Sequence, residues 1–284
     1  VKGPKRILVV GNGKSGSWCI RGEQLGRAIG ATVDPFAENG VKGYELCIVV
    51  KRTRADVLQR LRAAGVPIVY DVVDAWPQPS GNEWNRSKCL VWRRNAVNAM
   101  RPCALVAATQ AMQVDLDRLT MLPSIALPHH ARPGIRRNPV RPHVKIVGYE
   151  GGAQYLGKWR ALLEQECERR GWVFMINPPE LADLDIVVAL RESDGYAVMM
   201  YKSNVKLANA QGSGTPFIGA PEAGYLETSC GAEHWVRTPQ DLEQALDALT
   251  PYETRLLASR ALYAARLSLA SVAEKYKAWL EDLY

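Results

Sequence analysis

A Gly-rich turn directly behind a short apolar run occurs twice in this chain, and that repetition constrains the fold more than any other feature. Ile7-Leu8-Val9-Val10 runs into Gly11-Asn12-Gly13-Lys14-Ser15-Gly16, and near the middle Val144-Lys145-Ile146-Val147 runs into Gly148. A buried strand that turns through glycines into a helix opens a nucleotide-type α/β unit. Two such openings in 284 residues of 47% apolar composition predict two α/β units of ordinary domain size facing each other across a cleft.

The stretches between the two openings keep the rhythm. Apolar runs at 44–50, 68–70 and 104–107 read as buried strands, and 53–64 and 85–100 as the helices between them, which predicts a parallel sheet covered on both faces. Pro77, Pro79 and Gly81 break the pattern over 72–84, so this segment is a loop at the carboxyl end of a strand, with Trp76 in it. Four prolines and Arg132, Arg136, Arg137 and Arg141 mark 128–142 as a linker. Beyond it come strands at 144–147, 172–176, 185–190 and 216–219, helices at 156–170, 201–211 and 239–249, and a helical tail from Tyr252. The expected division is 1–140, 141–262, and a tail 263–284 crossing back to the first unit.

Bulk chemistry narrows the partners. A net charge of +7 favours nucleotide diphosphates, polyanions or an anionic membrane surface, with Arg21, Arg132 and Arg136 as candidate contacts. The six cysteines form no C-x-x-C pair, which predicts buried thiols in a reducing compartment and no metal site. No signal peptide is recognisable and no run reaches the roughly 18 apolar residues that span a bilayer. A cytoplasmic protein is expected.

Gly11-x-Gly13-x-x-Gly16, with Asp34 about 20 residues on, fits a dinucleotide fingerprint; an NAD-dependent oxidoreductase is therefore one alternative. The same turn can also bring backbone amides to an anion or a sugar hydroxyl. The closing G-K-[ST] order of an ATP-binding P-loop is missing. Asp71 and Asp74 bracket a strand end, where a carboxylate of raised pKa can take a proton from an acceptor hydroxyl. His129 and His130 lie in the linker, and His130 is a further candidate base. The richest segment is Tyr201-Lys202-Ser203-Asn204-Val205-Lys206-Leu207 leading to Gly214-Thr215-Pro216-Phe217-Ile218. A polar helix start of this kind offers amides and a cation to a diphosphate, and the carboxylates of Glu222 and Glu227 follow it.

Taken together, these residues resemble the two-Rossmann GT-B glycosyltransferases. The match is best from His143 to Leu249, where Asp185-Ile186-Val187-Val188, Lys202-Ser203-Asn204-Val205-Lys206-Leu207 and Gly214-Thr215-Pro216-Phe217-Ile218 are similar to the donor-binding pattern of that family. The resemblance implies a nucleoside-diphosphate sugar, UDP-sugar first, held at Lys202, Ser203, Asn204 and Gly148, with no further cofactor. It also implies that the loop Gly13, Lys14, Ser15, Gly16 and Ser17 closes over sugar or acceptor. Many relatives place a glutamate where this chain has Asn209, so either another carboxylate, Glu227, or the backbone would hold the ribose. An inverting member would use Asp71, Asp74 or His130 as the acceptor-side base, whereas a retaining member would need none. Compact bacteriophage members of this architecture glucosylate modified bases in double-stranded DNA, which is one expectation for the acceptor; an envelope glycan or a lipid carrier is another. A non-catalytic nucleic-acid-binding protein is the remaining alternative.

Overall fold

A computed structural model describes residues 6–74 and 85–283; most of the Pro- and Gly-rich loop, including Trp76, lies outside the described residues. The first sheet contains β1 (Ile7–Val10), β2 (Thr32–Val33), β3 (Leu46–Val50), β4 (Ile68–Asp71), β5 (Ala104–Ala107) and β6 (Ser124–Ala126), all parallel in the order β2-β1-β3-β4-β5-β6. The second contains β7 (Ile146–Tyr149), β8 (Val173–Ile176), β9 (Ile186–Ala189), β10 (Phe217–Gly219) and β11 (His234–Trp235), again parallel, in the order β8-β7-β9-β10-β11. Both sheets wind outward from their first strand, to one side and then to the other. Each therefore has a switch point, at β1/β3 and β7/β9, where open parallel sheets place their ligands.

Strand residues are buried because helices cover both faces. Leu8, Val10, Cys47, Val49, Tyr70 and Leu105 point into one apolar layer of the first unit, and Val9, Ile48, Val69 and Val106 into the other, the alternation that a pleated strand imposes. Helices α1 (Gly26–Ala28), α2 (Ala55–Ala63), α3 (Arg86–Met100) and α4 (Gln110–Leu119) belong to this unit. The helix after the first Gly-rich turn runs from Trp18 to Leu25 as a π-helix. The buried Trp18 ring fills the space that a Cβ would need at both Gly11 and Gly22, at 2.5 and 2.4 Å.

In the second unit α5 (Lys158–Arg169) buries Trp159, Leu163 and Cys167, and α9 (Pro239–Ala248) begins at a capping box of Thr238 and Asp241. The sequence suggested one helix over 201–211. The structure has α6 (Tyr196–Tyr201), a polar corner at Lys202-Ser203-Asn204, and then α7 (Val205–Ser213), followed by α8 (Ala223–Leu226). The tail forms α10 (Tyr252–Ala264) and α11 (Leu269–Asp282), the latter capped by Ser268. Val272, Ala273, Tyr276 and Leu280 of α11 complete an apolar layer of the first unit, so the tail crosses back. Ala197 and Tyr201 of α6 complete the opposite layer. This is the GT-B arrangement of two Rossmann-type units. No helix among the described residues is long and apolar enough to cross a membrane.

Candidate active site

The carboxyl edge of the second sheet gathers cations in the interior. Arg191, two residues beyond β9, donates from Nε to Oε1 of Glu222 at 2.8 Å, and both side chains are nearly buried. Oε2 of Glu222 has no hydrogen-bond partner among the described residues. Lys206, in the first turn of α7, is 6% exposed. Its Nζ stands 3.7 Å above the Tyr149 ring at the end of β7 and likewise lacks a hydrogen-bond partner. Burial, reinforced by the neighbouring Arg191, pushes the Lys206 ammonium well below the usual lysine range. A buried ammonium without a bonded carboxylate is costly. This cluster therefore carries cationic capacity that an incoming anion would satisfy.

Strained backbone presents the groups on the facing edge of the first sheet. Lys51 just after β3 has φ +63°, and Val73 has φ +66°, a conformation rare for a β-branched residue and typical of functional sites. Beside these two strand ends lies Asp74, whose Oδ1 is 3.1 Å from Lys51 Nζ and whose Oδ2 is 3.9 Å from Lys202 Nζ of the other unit. Burial works to raise the Asp74 carboxyl, but Lys202 and Lys51 overcome it and hold the group below its ordinary value. Asp71 accepts from Val73 N at 3.1 Å and sits 3.8 Å from Arg21 Nε; burial raises its carboxyl against the pull of Arg21.

Other residues singled out from sequence have more specific positions. Arg21 is buried and donates to the Leu127 carbonyl, so it is an interior group and not a surface contact. His130 Nε2 lies 2.9 Å from Gln24 Oε1, and burial together with Arg21 lowers the ring to about 4. His129 is buried too, and its backbone is clamped: its N–H donates to Asn204 Oδ1 at 2.7 Å, and Asn204 Nδ2 donates to its carbonyl at 3.1 Å. Asn204 is thereby spent on joining the units. Ser203 is buried in the same corner. Asn209 accepts from Arg132 N at 3.1 Å and donates to Glu150 at 2.9 Å.

Glu227 receives the backbone N–H groups of Gln110 and Ala111 at 2.7 and 3.0 Å, capping α4 of the first unit. Gly148 sits inside β7, where a Cβ would strike Leu184 at 2.4 Å, so its missing side chain serves packing. Arg132 and Arg136 face Glu150 at 3.5 Å and Asp183 at 2.8 Å, so each has a carboxylate partner within the protein. Asp34 accepts from Asn39 N and Nδ2 at 3.1 and 3.2 Å, closing its own turn. In the Gly-rich loop Lys14 and Gly16 are exposed, Gly13 has φ +73°, and Ser15 Oγ accepts from Trp18 N at 3.2 Å.

The structure thus brings together Lys202, Asn204, Asp71 and Asp74 from the sequence reading and adds Lys51, Arg191 and Lys206. Lys206 stood in the quoted motif without a role. The signal that could have found it is its place in the first turn behind a polar corner. No family model matches the chain, and no curated protein does. Solved structures do match over nearly their full length. The chain is similar to Anabaena Alr3699/HepE, crystallised in complex with UDP and glucose, at 14% identity over 98% of this chain and 100% of that one, with a TM-score of 0.66. It is similar to AviGT4, a glycosyltransferase involved in avilamycin A biosynthesis, at 12% identity over 99% and 98%, TM-score 0.61. The lipopolysaccharide outer core galactosyltransferase WaaB in its apo form follows at 10% identity over 98% and 100%, TM-score 0.57. At these identities the likeness establishes a shared fold.

Proposed function

We propose that this protein is a glycosyltransferase that moves a sugar from a UDP-sugar to an acceptor hydroxyl. The observation that carries the reading is the buried Lys206 amine, without a hydrogen-bond partner among the described residues, beside Arg191 and Lys202 at the switch point of the second sheet. A diphosphate supplies the negative charge that this pocket lacks, and the cations stabilise the charge that develops as it leaves. Structures of the same fold support the choice of donor, since Alr3699/HepE was crystallised with UDP-glucose.

In this mechanism the acceptor oxygen bonds to the anomeric carbon while the bond from that carbon to the β-phosphate oxygen breaks. The electron pair leaves with UDP, held by Lys202, Lys206 and Arg191. Asp74 receives the hydroxyl proton; Asp71 lies behind Arg21, and the His130 ring nitrogen is engaged by Gln24. Glu222 Oε2 offers a fixed acceptor to a sugar hydroxyl, its other oxygen being held by Arg191. The loop from Gly13 to Ser17 covers the reacting groups on closure and limits water. Calorimetry with UDP, UDP-glucose and NAD tests this reading. UDP and UDP-glucose are expected to bind, and Lys206→Met and Lys202→Ala to weaken both at least tenfold; binding of NAD alone would replace this reading with the oxidoreductase one.

A further inference from the structure

Lys202 stands between two sets of partners. On one side its Nζ is 3.9 Å from Asp74 Oδ2; on the other it feels Arg191 and Glu222 of the proposed donor pocket. Asp74 is faced by Lys51 from the end of β3, by Lys202 from the corner before α7, and by Arg93 of α3, whose Nη2 donates to the Asp74 carbonyl at 2.7 Å. Tyr70 and Asp71 adjoin it from its own strand. Of these cations only Lys202 comes from the donor-side unit.

Resting on the glycosyl-transfer reading, we propose that Lys202 is a two-position switch through which the donor arms the base. In the empty site its ammonium partners Asp74. When a nucleoside diphosphate enters, the ammonium turns to the phosphate oxygens and leaves Asp74 with Lys51 as its remaining ammonium partner. Asp74 then becomes the better proton acceptor only when there is a sugar to transfer. Lys51 is a positioning residue, keeping the carboxylate aimed after Lys202 has moved. The exchange makes and breaks no covalent bond. An opposite charge at such distances shifts a carboxyl by about 1–3 pH units, which is large enough to measure.

The test is a carbon-13 titration of the Asp74 carboxyl, its signal identified by Asp74→Asn, with and without saturating UDP. In the wild-type protein UDP is expected to move the midpoint up by about 1 pH unit or more. In Lys202→Met the midpoint is expected to start high and to respond much less to UDP. An unmoved wild-type midpoint in protein that binds UDP by calorimetry overturns the switch. So does a UDP response in Lys202→Met equal to that of wild type, because the diphosphate would then act on Asp74 directly. Absence of any UDP binding to the wild-type protein overturns the donor reading itself and the switch with it, and calorimetry distinguishes that failure from the others.

Discussion

Single residues here answer to packing before they answer to chemistry, and the Gly-rich turn shows it. Gly11 and Gly22 make room for the Trp18 ring, whereas a Cβ at Gly16 meets nothing within 4 Å. The fingerprint spacing was legible, but the reason for its first glycine was not, because the ring that occupies the space comes from the following helix. Gly22→Ala is expected to destabilise the fold by about 1–3 kcal/mol through overpacking, while Gly16→Ala stays within about 0.5 kcal/mol; urea unfolding of both variants checks the contrast. Lys206 gives a second prediction at this scale. Its folded pKa lies well below the lysine value, so between that depressed value and about 10.4 the unfolded chain binds more protons and this residue makes stability rise with pH. Below the folded value the penalty is present in full. Lys206→Met is therefore expected to raise the melting temperature at neutral pH while abolishing tight UDP binding.

Secondary-structure elements were read from sequence most reliably where the pattern is long. α3 and α5 carry their apolar positions over several turns, and the first-sheet strands are continuous apolar runs, so both kinds of element could be placed without tertiary knowledge. α6 could not, because Tyr-Ala-Val-Met-Met-Tyr is too short for periodicity and apolar almost all round. Its partner explains it: the hydroxyls of Tyr196 and Tyr201 both donate to Asp115 Oδ2 on α4, at 2.7 and 2.6 Å, while Arg86 holds Oδ1 at 2.7 Å. Burial and Asp115 together push Tyr196 up to about 12, so both phenols remain donors at ordinary pH. This carboxylate fixes the segment that lies between Arg191 and Lys202, the ends of which face the proposed donor. Asp115→Asn is expected to cost about 1–3 kcal/mol, since a buried donor loses its charged acceptor. It should also speed amide exchange across 196–201 more than elsewhere; exchange that stays uniform would mean that α6 is held by its apolar contacts alone.

For the whole molecule, the repeated strand-turn opening made two α/β units legible, but how they meet was not. The joining contacts pair residues 75 positions apart at His129 and Asn204, and 117 apart at Gln110 and Glu227, and no local pattern encodes such pairs. Arg132 and Arg136 looked like a polyanion surface because their acidic partners, Glu150 and Asp183, lie in the second unit. Among the ties, Asn204 and Glu227 differ in burial, and that difference orders their effects. Asn204 makes two buried hydrogen bonds to the backbone of His129, so Asn204→Ala is expected to weaken closure by about 1–3 kcal/mol. Glu227 is exposed, and Glu227→Gln should cost less than about 1 kcal/mol despite the favourable place of a carboxylate at a helix start. Small-angle scattering should then show a larger radius of gyration for Asn204→Ala than for Glu227→Gln, limited in both by α11, which tethers the second unit to the first. A ligand that bridges the closed units adds about 2.7 kcal/mol at a hundredfold excess over its dissociation constant, enough to offset most of the Asn204 loss. UDP at that excess should return the Asn204→Ala radius towards that of wild type. A variant that binds UDP and stays open would show that the nucleotide is held by the second unit alone, with closure left to the acceptor.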